Sequence, residues 1–86
     1  MEPNTNLINE KIINYLTNTL LKNKNIGEII TSTPLITGGL MDSISTMQLI
    51  NFLEKEFAVE FEAHEVDKDN FDTVSIITKF VENKLK

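Results

Sequence analysis

Apolar residues recur along this chain in three stretches with the three- and four-residue spacing of helices that bury one face. In the first, from about Thr5 to Lys22, Ile8, Ile12, Ile13, Tyr15, Leu16 and Leu20 fall within half of a helical wheel. Asn4, Thr5 or Asn6 can cap its start, and Asn23, Asn25 and Gly27 mark its end. The second opens at Asp42-Ser43 and runs to about Phe57, with Leu49, Ile50, Leu53 and Phe57 on one face and Phe52 at its edge. Ile44 and Met47 lie three residues apart and point away from that face. The third begins at Asp72 or Thr73, either of which can cap it, and carries Val74, Ile77, Phe80, Val81 and Leu85 on one stripe.

The segments between these helices also read physically. A long connection from about Asn23 to Met41 contains Thr33-Pro34 and Gly38-Gly39 among scattered apolar residues (Ile26, Ile29, Ile30, Leu35, Ile36, Leu40). That content predicts a loop packed along the bundle. Phe57 to Phe61 alternates like a strand but has no partner strand to pair with, so it reads as an extended loop with Phe57, Val59 and Phe61 turned inward. A short turn or helix follows at about Val66 to Phe71. The expected fold is a small all-α four-helix bundle: three main helices, a short third helix, and a long loop between the first two. Eighty-six residues make one domain over 1–86, with residues 1–4 flexible.

Composition narrows the functions open to such a bundle. The chain has no cysteine, which excludes disulfides and thiolate chemistry of its own and suits a cytoplasmic setting. No apolar run reaches membrane-spanning length and no leader pattern opens the chain, so no membrane association is expected. The net charge is −5 and every basic residue is lysine. With neither arginine nor basic patches interleaved with aromatics, nucleic acid is not an expected partner. Acid concentrates between Glu54 and Asp72, where eight carboxylates face only Lys55 and Lys68. This segment reads first as a solvated face, and second as a surface for a basic partner.

Candidate chemistry is sparse. His64 is the lone histidine and stands in the acidic loop, where a solvated side chain is the ordinary outcome. No serine–histidine–aspartate set can be assembled, so a catalytic function is not expected. Asp67-Lys68-Asp69-Asn70 begins like a calcium loop but lacks the glycine and the closing glutamate, and helix capping accounts for it better. Gly38-Gly39 has no lysine or hydroxyl residue at phosphate-loop spacing, and so reads as a sharp turn into the second helix.

What remains is Gly39-Leu40-Met41-Asp42-Ser43-Ile44. Asp42 before an apolar periodic run is an ordinary helix cap. Ser43, however, falls in the first turn, where the positive end of the helix dipole favours an attached phosphate. Leu40, Met41, Ile44 and Met47 surround it without a base to activate it, a setting suited to modification rather than nucleophilic catalysis. In these residues, together with Leu49, Leu53, the Glu54–Phe57 stretch, Val59, Asp72-Thr73-Val74 and Ile77, the chain resembles the acyl/peptidyl carrier family. That family carries a serine in an Asp-Ser-Leu/Ile motif at the start of its second helix. The resemblance extends from about Leu7 to Leu85.

It implies that Ser43 receives a 4'-phosphopantetheine arm from coenzyme A through a phosphopantetheinyl transferase. The arm's thiol then holds an acyl or aminoacyl group as a thioester, loaded by an adenylating ligase, acyltransferase or synthase. It implies further that the protein acts as a monomer, with Leu40, Met41, Ile44 and Met47 meeting the partner enzymes. Carriers of fatty-acid synthesis usually show acids along the exposed face of this helix, whereas here Ser45, Gln48 and Asn51 are uncharged. The motif and the segment from Asp67 to Thr73 look more like stand-alone aminoacyl or D-alanyl carriers, which implies a specialised biosynthetic pathway. An alternative reading is an unmodified helical adaptor that binds a partner through Ile44 and Met47. A small hydrolase using Ser43 is the weakest alternative, because the only histidine lies about twenty residues downstream.

Overall fold

A computed structural model describes residues 4–22 and 27–85. Helix α1 spans Thr5–Tyr15 and passes into a π-helical turn over Leu16–Leu20. Helix α2 spans Ser43–Phe57, α3 Lys68–Phe71 and α4 Val74–Leu85, with a single 3₁₀ turn at Ala63–Glu65 before α3. No strand occurs among the described residues, and the fold is a small all-α bundle of four helices, one of them short.

Capping residues set the helix starts. Asn4 accepts the Leu7 N–H at 3.1 Å to open α1, and Asp42 accepts the Ser45 N–H at 2.8 Å to open α2. Asp67 accepts the Asn70 N–H at 3.0 Å to open α3. At α4 the choice between two candidate caps is resolved, since the Thr73 hydroxyl accepts the Ile76 N–H at 3.2 Å and Asp72 is engaged elsewhere. Asn4 is thus an ordered part of a helix start, while residues 1–3 of the expected flexible terminus lie outside the described residues.

The core is the meeting of the apolar faces. Ile8, Ile12 and Leu16 meet Leu49, Ile50 and Leu53, with Val74, Ile77 and Val81 of α4 closing the other side. Phe71, fully buried, sits edge-on to Phe61, with ring centroids 5.4 Å apart. Val59 is buried and Phe57 and Phe61 are half-buried, as the alternation over 57–61 predicts. Leu85 departs from its expected stripe: it is exposed in the last turn of α4, beyond the end of the core.

Two backbone departures have physical causes. An α-helix through Lys22 would turn Leu16 and Leu21 to different sides. In the structure the Leu21 N–H bonds the Leu16 carbonyl, five residues back, at 2.8 Å. The wider π-turn brings both leucines inward, and both are fully buried. The expected helix end at Asn23 and Asn25 lies outside the described residues. At the other end of α2, Ala58 takes the left-handed conformation (φ 54°, ψ 45°) that ends the helix. Glycine is the usual residue there, because a Cβ is disfavoured in that conformation.

Replacing Ala58 by glycine should therefore stabilise the protein by about 0.5–1 kcal/mol, read as a higher midpoint in urea unfolding. A lower midpoint for Ala58→Gly would show that the turn is not held in this conformation.

Candidate functional site

Ser43 is positioned by the loop that precedes it. The Gly39 N–H donates to the Ile36 carbonyl at 3.0 Å, and the Leu40 and Met41 N–H groups both donate to the Leu35 carbonyl, at 2.9 and 2.8 Å. The turn is tight enough that a Cβ at Gly38 would stand 2.2 Å from the Pro34 carbonyl oxygen, and Gly39 has φ +80°. Both glycines thus have a steric reason, in keeping with a sharp turn into α2.

Leu35, Ile29 and Met41 are buried and Ile36 and Leu40 half-buried, so the loop does pack along the bundle. Ile30 does not share in this packing and is exposed. Ile26, also expected to pack here, is outside the described residues.

A single side chain ties this turn to the far end of the chain. The Asp72 carboxylate accepts the Ile36 N–H at 2.8 Å, the Thr37 N–H at 2.9 Å and the Thr37 hydroxyl at 2.9 Å. The Asp72 carbonyl accepts the Leu35 N–H at 2.6 Å, and the Ser75 N–H bonds the Thr31 carbonyl at 3.0 Å. Sequence reasoning, which had Asp72 as a possible helix cap, missed this role. Only the pairing of a sharp glycine turn with an acid before the last helix hinted at it. The Thr37 N–H, together with the Thr37 hydroxyl and Ile36 N–H, holds the Asp72 carboxyl below its ordinary range, against an opposing effect of partial burial.

From this anchored turn α2 starts cleanly. Asp42 takes the Ser45 N–H on its carboxylate, and its carbonyl accepts both the Thr46 N–H at 2.9 Å and the Thr46 hydroxyl at 2.7 Å. Ser43, the first residue of the helix, is exposed, and its hydroxyl has no hydrogen-bond partner among the described residues. Beside it an open groove of about 540 Å³ runs between the start of α2 and the chain entering α3. Ile36, Met41, Thr46, Met47 and Val66 line it, with Asp42, Asp67 and Lys68 at its polar margin.

The residues expected around Ser43 divide into two groups. Ile44 (72% exposed) and Met47 (49% exposed) form an apolar surface next to the serine. Leu40 is half-buried against the core. Met41 does not belong to the outer surface: it is 4% exposed, drawn in by the two N–H bonds to Leu35, and reaches the groove only as part of its lining. On the same side of α2, Gln48 and Asn51 are exposed and uncharged.

His64 is exposed on the 3₁₀ turn with Glu62 as its neighbour, 3.5 Å away, and does not line the groove. The acids around it have structural duties. The Glu65 carboxylate accepts the Glu62 N–H and the Lys84 ammonium, and these bonds, in that order, hold it below the ordinary range. Lys84 in turn stands over the rings of Phe61 and Phe80, 5.2 and 5.4 Å from their centroids. Glu54 accepts the Phe61 N–H at 3.0 Å, and Glu56 pairs with Lys11. The site can therefore present a serine hydroxyl at a helix start beside an apolar groove, and no histidine lines the groove to activate it.

No helix among the described residues is long and apolar enough to cross a membrane. In comparisons with known proteins, the chain matches no family model and no curated protein.

The Asp72 anchor makes stability depend on pH in a definite direction. Because its carboxyl is held low in the folded state, its contribution is fully present above the ordinary aspartate range and is lost as pH falls through the folded value. Asp72→Ala should cost about 1–3 kcal/mol at neutral pH. Asp72→Asn, which keeps an acceptor oxygen, should lose less and show a shallower fall in urea midpoint below about pH 4. An acid-side profile for Asp72→Asn identical to that of the unmodified protein would contradict the anchor.

Proposed function

We propose that this protein is a carrier that holds an acyl or aminoacyl group as a thioester on a 4'-phosphopantetheine arm attached to Ser43. The observation that carries this reading is the setting of that serine. It is exposed at the first residue of α2, beside an apolar groove and the Ile44–Met47 surface, with no neighbouring histidine to make it a nucleophile. A primary hydroxyl so placed is accessible to an enzyme that transfers a phosphoryl-linked group to it. The start of α2 also favours the negative charge that such a group brings. The lack of cysteine fits the same reading, because the working thiol arrives with the arm.

In this reading the partners are a phosphopantetheinyl transferase and a loading enzyme, an adenylating ligase or an acyltransferase. They meet the protein at Ile44 and Met47. The adjoining Gln48 and Asn51 carry no charge, so this surface contributes little salt dependence to the encounter. The uncharged face favours a stand-alone carrier of a specialised pathway, and in this reading the carrier is a cytosolic monomer. Asp42 supports the site as the cap that fixes the first turn.

Exposure of Ile44 and Met47 also favours a second reading, an adaptor that binds a partner there without modification of Ser43. The two readings separate cleanly. Incubation with coenzyme A and a phosphopantetheinyl transferase should add the mass of one phosphopantetheine to the intact protein, and Ser43→Ala should abolish the addition. No addition, or addition that survives Ser43→Ala, would sink the carrier reading. In cells, Ser43→Ala and Met47→Glu should both abolish carrier function, whereas an adaptor would lose function only with Met47→Glu.

A further inference from the structure

With no cysteine in the chain, its only oxidisable sulfurs are thioethers, and the structure places two of them at the same groove with opposite accessibility. Met41 lies beneath it, 4% exposed and held in the core by the turn at Leu35. Met47 lies on its rim, 49% exposed, one turn along α2 from Ser43 and next to Ile44. Oxidation of a thioether needs direct approach of the oxidant to sulfur, so susceptibility follows exposure.

We infer that Met47 is a peroxide-sensitive modification site that controls access of partner enzymes to Ser43. In the reaction the Met47 sulfur attacks a hydroperoxide and the O–O bond breaks. One oxygen is transferred to sulfur, which is oxidised by two electrons, and the remainder leaves as water or an alcohol. The product is a polar, chiral sulfoxide in place of a flexible apolar side chain. Here it would stand in the middle of the exposed apolar surface beside Ser43. A partner that buries Met47 would then have to desolvate the sulfoxide oxygen without a designed donor, which opposes docking. The core would be spared, because the oxidised atom is on the rim and Met41 is shielded. The change is reversible, since methionine sulfoxide can be reduced enzymatically. The chemical part of this inference stands on exposure alone; the consequence for Ser43 rests on the carrier reading.

Two measurements test the two parts separately. The folded protein is treated with hydrogen peroxide and sampled over time. Cleavage on the amino side of Asp42 then puts Met47 on a different peptide from Met1 and Met41, and fragmentation of the latter peptide tells oxidation at Met41 from oxidation at Met1. Met47 should be oxidised at least about tenfold faster than Met41, and equal rates would overturn the site. Next, the unlabelled protein is oxidised, freed of peroxide and given to coenzyme A and the transferase. Its kcat/KM should fall about fivefold or more, chiefly through KM, equivalent to at least about 1 kcal/mol of lost binding. Met47→Gln should reproduce the fall without peroxide, and the rate of Met47→Leu, whatever its starting value, should not fall further after peroxide. An unchanged rate for the oxidised protein would overturn the consequence. Absence of any labelling of the untreated protein would instead sink the carrier reading and the consequence together, while the ratio of Met47 to Met41 oxidation would still decide the site.

Discussion

The Asp72 carboxylate is the constraint on which the arrangement around Ser43 depends. Between Leu21 and α2 the chain has no helix or strand among its described residues, so its backbone groups cannot satisfy one another in a regular ladder. Asp72 receives two consecutive N–H groups and a hydroxyl from the turn, while its own carbonyl receives a third N–H. One residue thereby serves four donors that would otherwise stand at a helix–loop junction without internal partners. Hydrogen bonds to a charged acceptor are stronger than neutral ones, and they fix direction as well as distance. The glycines let the chain follow the course this anchor dictates, and Leu35 is driven under it into the core.

The division of polar groups follows from the same logic. Buried side-chain polar atoms are all satisfied among the described residues. Thr46 bonds back to the Asp42 carbonyl, and the Thr78 hydroxyl, between α1 and α4, donates to Asn9. At the other end of the bundle, Lys84 links Glu65 to the faces of Phe61 and Phe80, and so holds the extended segment after α2 against α4. Most of the acid between Glu54 and Asp72 is thus committed to caps and ties. Glu60 and Asp69 remain exposed as a solvated surface.

Much of this was legible in the sequence where one period governs a long segment. The faces of α2 and α4, the exposed pair Ile44 and Met47, and the inward turn of Val59 all follow from spacing. The π-turn was not legible, because Leu16 and Leu21 are related by a change of helical register that no single period describes. Asp72 and Thr73 looked like equivalent caps from sequence; the choice between them was made by residues 35–37, more than thirty positions away. Met41 was misread for a related reason. Its neighbours in sequence suggested a surface collar, while its backbone bonds to Leu35 turn its side chain inward.

The long reach of the Asp72 contact also orders events in time. A nascent chain that has emerged from the ribosome only as far as α2 already contains Ser43, but lacks the carboxylate that shapes the turn before it. The local sequence can start a helix there, yet the turn from Leu35 to Met41 stays unanchored until the last helix begins to form. The shape of the chain leading into Ser43 is therefore set only once residue 72, nearly thirty positions later, has been made. The fold in this way makes the geometry at one helix start conditional on the residues that open another.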